Sequence, residues 1–180
     1  RLLSWMTSDH DRIFMYHRVS DDEGLISDGA ICRSTFKAQL DLIMEKYEIV
    51  PLADLVSKQG SSRPRVALTF DDGYLDFYEI VFPILRRFKL PATLFVCTRF
   101  ADGDFWMWPD IVRFIREQGA ELEDLARQSR VIFSSWGQLI NYCHDLRSED
   151  RYAFLTDLLH IIGLELPVHP TKPYSGMSWE

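Results

Sequence analysis

Over the first hundred positions, apolar residues fall in short runs split by polar, turn-forming stretches, and the runs change period from one to the next. Residues 12–19 (Arg-Ile-Phe-Met-Tyr-His-Arg-Val) form an apolar run bounded by charge and predict a buried strand. Residues 20–29 are polar with two glycines and predict a loop. Between 34 and 47, Phe36, Leu40, Ile43 and Met44 recur at helical spacing, with Ser34 or Thr35 able to cap the start. Residues 48–50 predict a second short strand, 52–58 a short helix and 60–64 a turn. The clearest strand is 65–70 (Arg-Val-Ala-Leu-Thr-Phe), ended by Asp71-Asp72-Gly73. Residues 74–88 predict a helix kinked at Pro83, and 90–97 the next strand.

Strand and helix in alternation point to βαβ units around a parallel sheet, an α/β fold. From 108 to 163 the pattern changes. Strand signals vanish and helical periodicity recurs over 111–115, 136–142 and 152–162, which predicts a helical insertion. Residues 164–176 are proline-rich and predict a connector. The last residues predict a turn and a helix start capped by Ser178, so the chain is expected to stop inside a domain.

Composition narrows the function classes. With 180 residues, 47% of them apolar and 26% charged, the chain is globular. Twenty basic and 27 acidic residues give a net charge of −7, with no basic run, which argues against a nucleic-acid partner. No apolar stretch approaches the ~20 residues a membrane span needs. Cys32, Cys97 and Cys143 are odd in number and widely spaced, so neither a disulfide framework nor a cysteine zinc site is indicated. They lean towards a reducing compartment, with association to the cell envelope left open.

The candidate chemistry sits at Asp71-Asp72-Gly73. Two carboxylates at the C-terminal end of a parallel strand occupy the edge where α/β folds bind ligands. Adjacent carboxylates repel, and a cation relieves that cost. One Asp as metal ligand and one as general base is a natural division. The same tripeptide also suits a turn with a helix N-cap. His17 closes the first strand and could face the pair as a proton donor, or could be a core histidine. A phosphate-transfer enzyme of the haloacid dehalogenase type also places acids after a strand, but it needs Asp-x-Asp and position 73 is Gly, so that reading is weak. Trp106 and Trp108 could stack on a sugar but fit better as cover for the helical part. Tyr74 suits the site or the following helix equally. His160 reads as a structural residue on an apolar helix face, Cys97 as a small buried residue, and the acidic stretch 121–124 as a solvated face.

Three motifs in order, Met15-Tyr16-His17-Arg18-Val19, Leu68-Thr69-Phe70-Asp71-Asp72-Gly73-Tyr74 and Leu90-Pro91-Ala92-Thr93-Leu94-Phe95-Val96, resemble the polysaccharide deacetylase family (NodB homology domain, carbohydrate esterase family 4). Pro83-Ile84-Leu85 and Met177-Ser178-Trp179-Glu180 fit as well, in a branch with an N-terminal Tyr-His motif and a helical insertion. The resemblance implies one partial deacetylase domain over 1–180: a βα core at 12–100, a helical insertion at 108–163, and a connector with the start of the next helix at 164–180. This would be the N-terminal part of a distorted (β/α)7 barrel. It implies a metal-dependent hydrolase that removes acetyl groups from an N- or O-acetylated glycan, with Asp71 as general base, Asp72 as metal ligand and His17 as general acid. The metal implied is a divalent ion, Zn2+ first, with Co2+, Ni2+ or Mn2+ as alternatives. Two further ligands are expected from a downstream His-x-x-x-His-type motif. No pair among His10, His144, His160 and His169 has that spacing, so the chain reads as truncated and, alone, as a weak metal binder without activity. The alternative is a non-catalytic, degenerate carbohydrate-binding relative.

Overall fold

In a computed structural model, residues 11–56 and 63–180 are described. They divide into two compact units, one of residues 11–102 with Gly176–Glu180 and one of Gly103–Ser175.

The first unit is built on β5 (Arg65–Phe70), buried at every position. Strand β1 (Arg12–Tyr16) pairs in parallel along one edge of β5, from Arg12 opposite Val66 to Tyr16 opposite Phe70. The other edge is shared by β4 (Glu48–Ile49) at the start and β6 (Thr93–Leu94) at the end, both parallel, which completes a four-stranded sheet. All-parallel pairing needs crossover connections. Helices α2 (Arg33–Lys46) and α4 (Phe82–Phe88) supply two of them. Phe36, Leu40 and Ile43 turn the buried stripe of α2 inward, as their spacing predicts. The core centres on Phe70, with Tyr16 stacked at 5.3 Å and Phe36 and Phe77 packed edge-on at 6.0 and 5.0 Å. Tyr16 also donates to Gln39 Oε1, so its hydroxyl is satisfied while its ring is buried.

Several local expectations are corrected. The predicted loop 20–29 holds helix α1 (Glu23–Ser27), because Asp22 caps it by accepting from the Leu25 N–H at 2.8 Å. Two-residue strands β2 (Val19–Ser20) and β3 (Ile31–Cys32) flank it and pair in parallel. Helix α2 starts after Cys32, so neither Ser34 nor Thr35 is its N-cap. Strand β1 is not buried on both faces: Ile13 and Met15 are 57% and 62% exposed, alternating with Phe14 and Tyr16 in the core. The predicted strand 90–97 pairs as a regular strand only at Thr93–Leu94, because Pro91 has no N–H to give at its start and β5 ends at Phe70, opposite Leu94. Helix α3 (Leu52–Val56) matches its expected start; the remainder of that prediction, and most of the 60–64 turn, lie outside the described residues. Pro83 does disturb its helix: Phe77–Val81 is π-helical, and regular α-helix resumes at Phe82 with the proline in its first turn.

The second unit is helical, with α5 (Thr98–Ala101) still in the first. Helices α6 (Trp108–Glu117), α7 (Leu122–Ser129), α8 (Trp136–Asp145) and α9 (Ser148–Ile161) enclose a core that includes Ile115, Leu125, Leu139, Leu155 and Leu158. Trp106 is buried there and donates to the Pro167 carbonyl, so it is core and not an open sugar platform. Residues 164–175 carry no helix or strand, and neither do residues 177–180. Glu121, Glu123 and Asp124 face solvent at the start of α7. His160 is exposed: Leu158 and Leu159 face the core, and the next step of the helix turns outward. Cys97 is half-buried, not a core residue. No helix among the described residues is long and apolar enough to cross a membrane.

Phe36 is fully buried at the centre of the first core. Phe36→Ala should cost about 3–5 kcal/mol of stability. Urea unfolding of the protein reads this directly, and a loss under about 1 kcal/mol would contradict the packing described.

Candidate functional site

The β1–β5 register decides the site. Because Tyr16 lies opposite Phe70, the next residues, His17 and Asp71, leave the sheet side by side. The Asp71 N–H donates to the Tyr16 carbonyl at 2.9 Å and extends the ladder one step past the strand end. His17 Nε2 then stands 3.8 Å from Asp71 Oδ2, with the imidazole half exposed and the carboxylate 28% exposed. A hydrogen-bonding partner can therefore reach both groups from solvent. Neither Asp71 nor Asp72 bonds an N–H of the following helix, so the capping alternative fails here.

Asp72 is held in a conformation that few residues adopt. Its φ is +72°, and the Gly73 N–H donates to the Asp71 carbonyl at 2.9 Å, closing a three-residue γ-turn around it. Gly73 follows at φ +85°, where a side chain would also be strained and a Cβ would press on Val96 Cγ1 at 3.2 Å. Such a turn persists only when its surroundings over-determine it. They do: the Cys97 N–H donates to the Asp72 carbonyl at 3.1 Å, and the Met177 N–H to the Gly73 carbonyl at 2.9 Å. Tyr74 forms an antiparallel bridge with Gly176. That bridge needs glycine, since a Cβ on Gly176 would lie 2.8 Å from the Phe100 carbonyl oxygen.

The electrostatics set the two acids apart. Burial raises the Asp72 carboxyl above its ordinary value, and the neighbouring Asp71 charge adds to this, while His17 and Arg18 oppose it. A bound cation would remove that penalty, so the chemistry of Asp72 suits a metal ligand. The donor set does not suit a closed site, for among the described residues no group of three or more His, Cys, Asp or Glu could hold a metal ion.

The structure thus brings His17, Asp71 and Asp72 together. It also adds Arg18 and Asp76, to which the sequence assigned no role. Arg18 donates through Nε to Asp76 Oδ2 at 2.8 Å and lies 4.0 Å over the Tyr74 ring. Tyr74 is buried against Phe100 and lies under Arg18. The only sequence signal for the Arg18–Asp76 pair was a charge beside each motif, 58 positions apart.

A model of the polysaccharide deacetylase family matches residues 58–126. A poly-beta-1,6-N-acetyl-D-glucosamine N-deacetylase of Escherichia coli (strain K12) is 34% identical over 82 residues. That match covers 43% of this chain and 12% of the E. coli protein, so the chain spans only a small part of that relative. Among solved structures, the Streptococcus pyogenes deacetylase PplD in complex with acetate is 26% identical, over 51% of this chain and 44% of that one, with a TM-score of 0.45. IcaB from Ammonifex degensii is 19% identical, over 95% of this chain and 91% of that one, also at 0.45. The matched stretch contains the Asp71-Asp72-Gly73 turn.

The raised Asp72 value fixes the sign of a pH effect. The folded state holds this proton more tightly than the unfolded chain, so stability is lost as pH climbs from the unfolded carboxylate value of ~3.9 through the higher folded value. In a chelator, Asp72→Asn should match the parent protein below that window and melt at higher temperature above it. Thermal melts across pH measure the difference; a variant that melts lower at neutral pH would contradict the assignment.

Proposed function

We propose that this chain supplies the acid–base part of a hydrolase that removes acetyl groups from an acetylated polysaccharide. The observation that carries the reading is the His17–Asp71 pair, 3.8 Å apart at one sheet edge beside the burdened carboxyl of Asp72. In this reading Asp71 is the general base. It takes a proton from the water that attacks the acetyl carbonyl. His17 is the general acid and gives a proton to the amine as the C–N bond breaks, so that water is divided between acetate and the free amino sugar. Asp72 would hold a divalent cation, Zn2+ first and Co2+, Ni2+ or Mn2+ as alternatives, with the remaining ligands from outside the described residues. Bound there, the ion would supply Lewis-acid polarisation of the carbonyl. The βα core would be part of a distorted (β/α)7 barrel with the helical unit as an insertion. The E. coli relative's name makes poly-N-acetylglucosamine the first substrate to try.

A second reading, a carbohydrate-binding relative without catalysis, is favoured by the lack of a complete ligand cluster among the described residues. One assay separates the two. The protein carrying this chain, supplied with Zn2+, should release acetate from N-acetylglucosamine oligomers. Asp71→Asn should lower that turnover by about 10²–10⁴-fold while metal content is unchanged. Absence of acetate release by the parent protein overturns the hydrolase reading in favour of the binding one. Unchanged turnover in the variant removes Asp71 from the role of base.

A further inference from the structure

Arg18 and Asp76 make an ion pair that the proposed chemistry does not use. Both side chains are nearly buried, 12% and 9% exposed, and Nε lies 2.8 Å from Oδ2. Burial pushes the Asp76 carboxyl above its ordinary value even with Arg18 beside it. A buried pair of this kind is weak evidence for stability, because desolvation offsets its attraction. Well-packed apolar residues would often serve the fold as well, so the pair invites another explanation.

Its position supplies one. His17 and Arg18 form a two-residue elbow between β1 and β2, which belong to different sheets. On one side of His17, the Tyr16 carbonyl is held by the Asp71 N–H. On the other side, Arg18 is fixed three ways. Its carbonyl accepts from the Ile31 N–H at 3.1 Å, its Nε donates to Asp76, and its guanidinium lies on the buried Tyr74 ring at 4.0 Å. Tyr74 and Asp76 both follow the Asp71-Asp72-Gly73 turn in the chain. The guanidinium therefore links the elbow that carries the imidazole to the segment that carries the two acids. An exposed histidine has little packing to hold it, so its direction depends on its neighbours' backbone.

We propose that Arg18 is a positioning residue, whose ion pair with Asp76 and seat on Tyr74 fix the His17 elbow and so set the spacing between the imidazole and Asp71. The proposal rests on the deacetylase reading for its effect on turnover, though not for its effect on geometry.

The test replaces the pair by apolar residues, Arg18→Met with Asp76→Leu, in the protein that carries this chain. A melt confirms that the variant folds; should it not, Arg18→Lys, which keeps the charge but loses the planar stack, takes its place. Turnover on N-acetylglucosamine oligomers with Zn2+ should fall about tenfold or more with KM changed by less than about twofold, as expected when groups are misplaced and binding is not lost. On a His17→Ala background the same replacement should change kcat by less than about twofold, because the residue acts through His17. Full turnover in the replaced protein, or an equal loss on both backgrounds, overturns the proposal and leaves the deacetylase reading standing. If the parent protein shows no turnover, the deacetylase reading fails, and the geometry is read by NMR. The His17 ring signal should shift or broaden in the variant, and an unchanged signal overturns the proposal.

Discussion

One backbone hydrogen bond organises the site. The Asp71 N–H, donated to the Tyr16 carbonyl, carries the parallel β1–β5 register one residue beyond the sheet. In a parallel pair the register fixes which residues emerge as neighbours, and a slip of one residue would send each side chain to the opposite face. With Tyr16 opposite Phe70, the imidazole and the first acid emerge together. The same register stacks the Tyr16 and Phe70 rings at the centre of the core. Packing that stabilises the fold therefore also holds His17 and Asp71 in place, and the exposed His17 gets its location from buried residues.

The second constraint is cost placed where it is useful. Asp72 combines a left-handed backbone, a partly buried carboxyl and an adjacent like charge. Each of these is unfavourable, and strain at a turn is of order 1–3 kcal/mol. The surrounding hydrogen bonds from Cys97 and Met177, and the close fit at Gly73 and Gly176, keep the chain from relaxing. A carboxyl held this way would meet a cation without reorganisation, which is the physical case for its proposed role.

The elements with strong patterning were legible in the chain: β5 from its mainly apolar run Val66-Ala67-Leu68-Thr69-Phe70, α2 from Phe36, Leu40 and Ile43, and the change to helices near residue 108. So was the shared edge of His17 and Asp71, because parallel strands put their C-terminal ends together. What stayed hidden depends on distances that no local pattern encodes. Asp22 closes α1 with one side-chain bond in a stretch that reads as loop. Arg18 and Asp76 look like ordinary surface charges until the fold buries them against Tyr74. Gly176 looks like a linker residue until Phe100 is found 2.8 Å from where its Cβ would stand. His160 misled in the other direction, since four apolar neighbours in sequence did not put it on the buried face.

The register can be measured without reference to activity. In the labelled protein, a through-hydrogen-bond scalar coupling should appear between the Asp71 amide nitrogen and the Tyr16 carbonyl carbon. A coupling from Asp71 to a different carbonyl, or none alongside couplings seen elsewhere in β1–β5, would contradict the account.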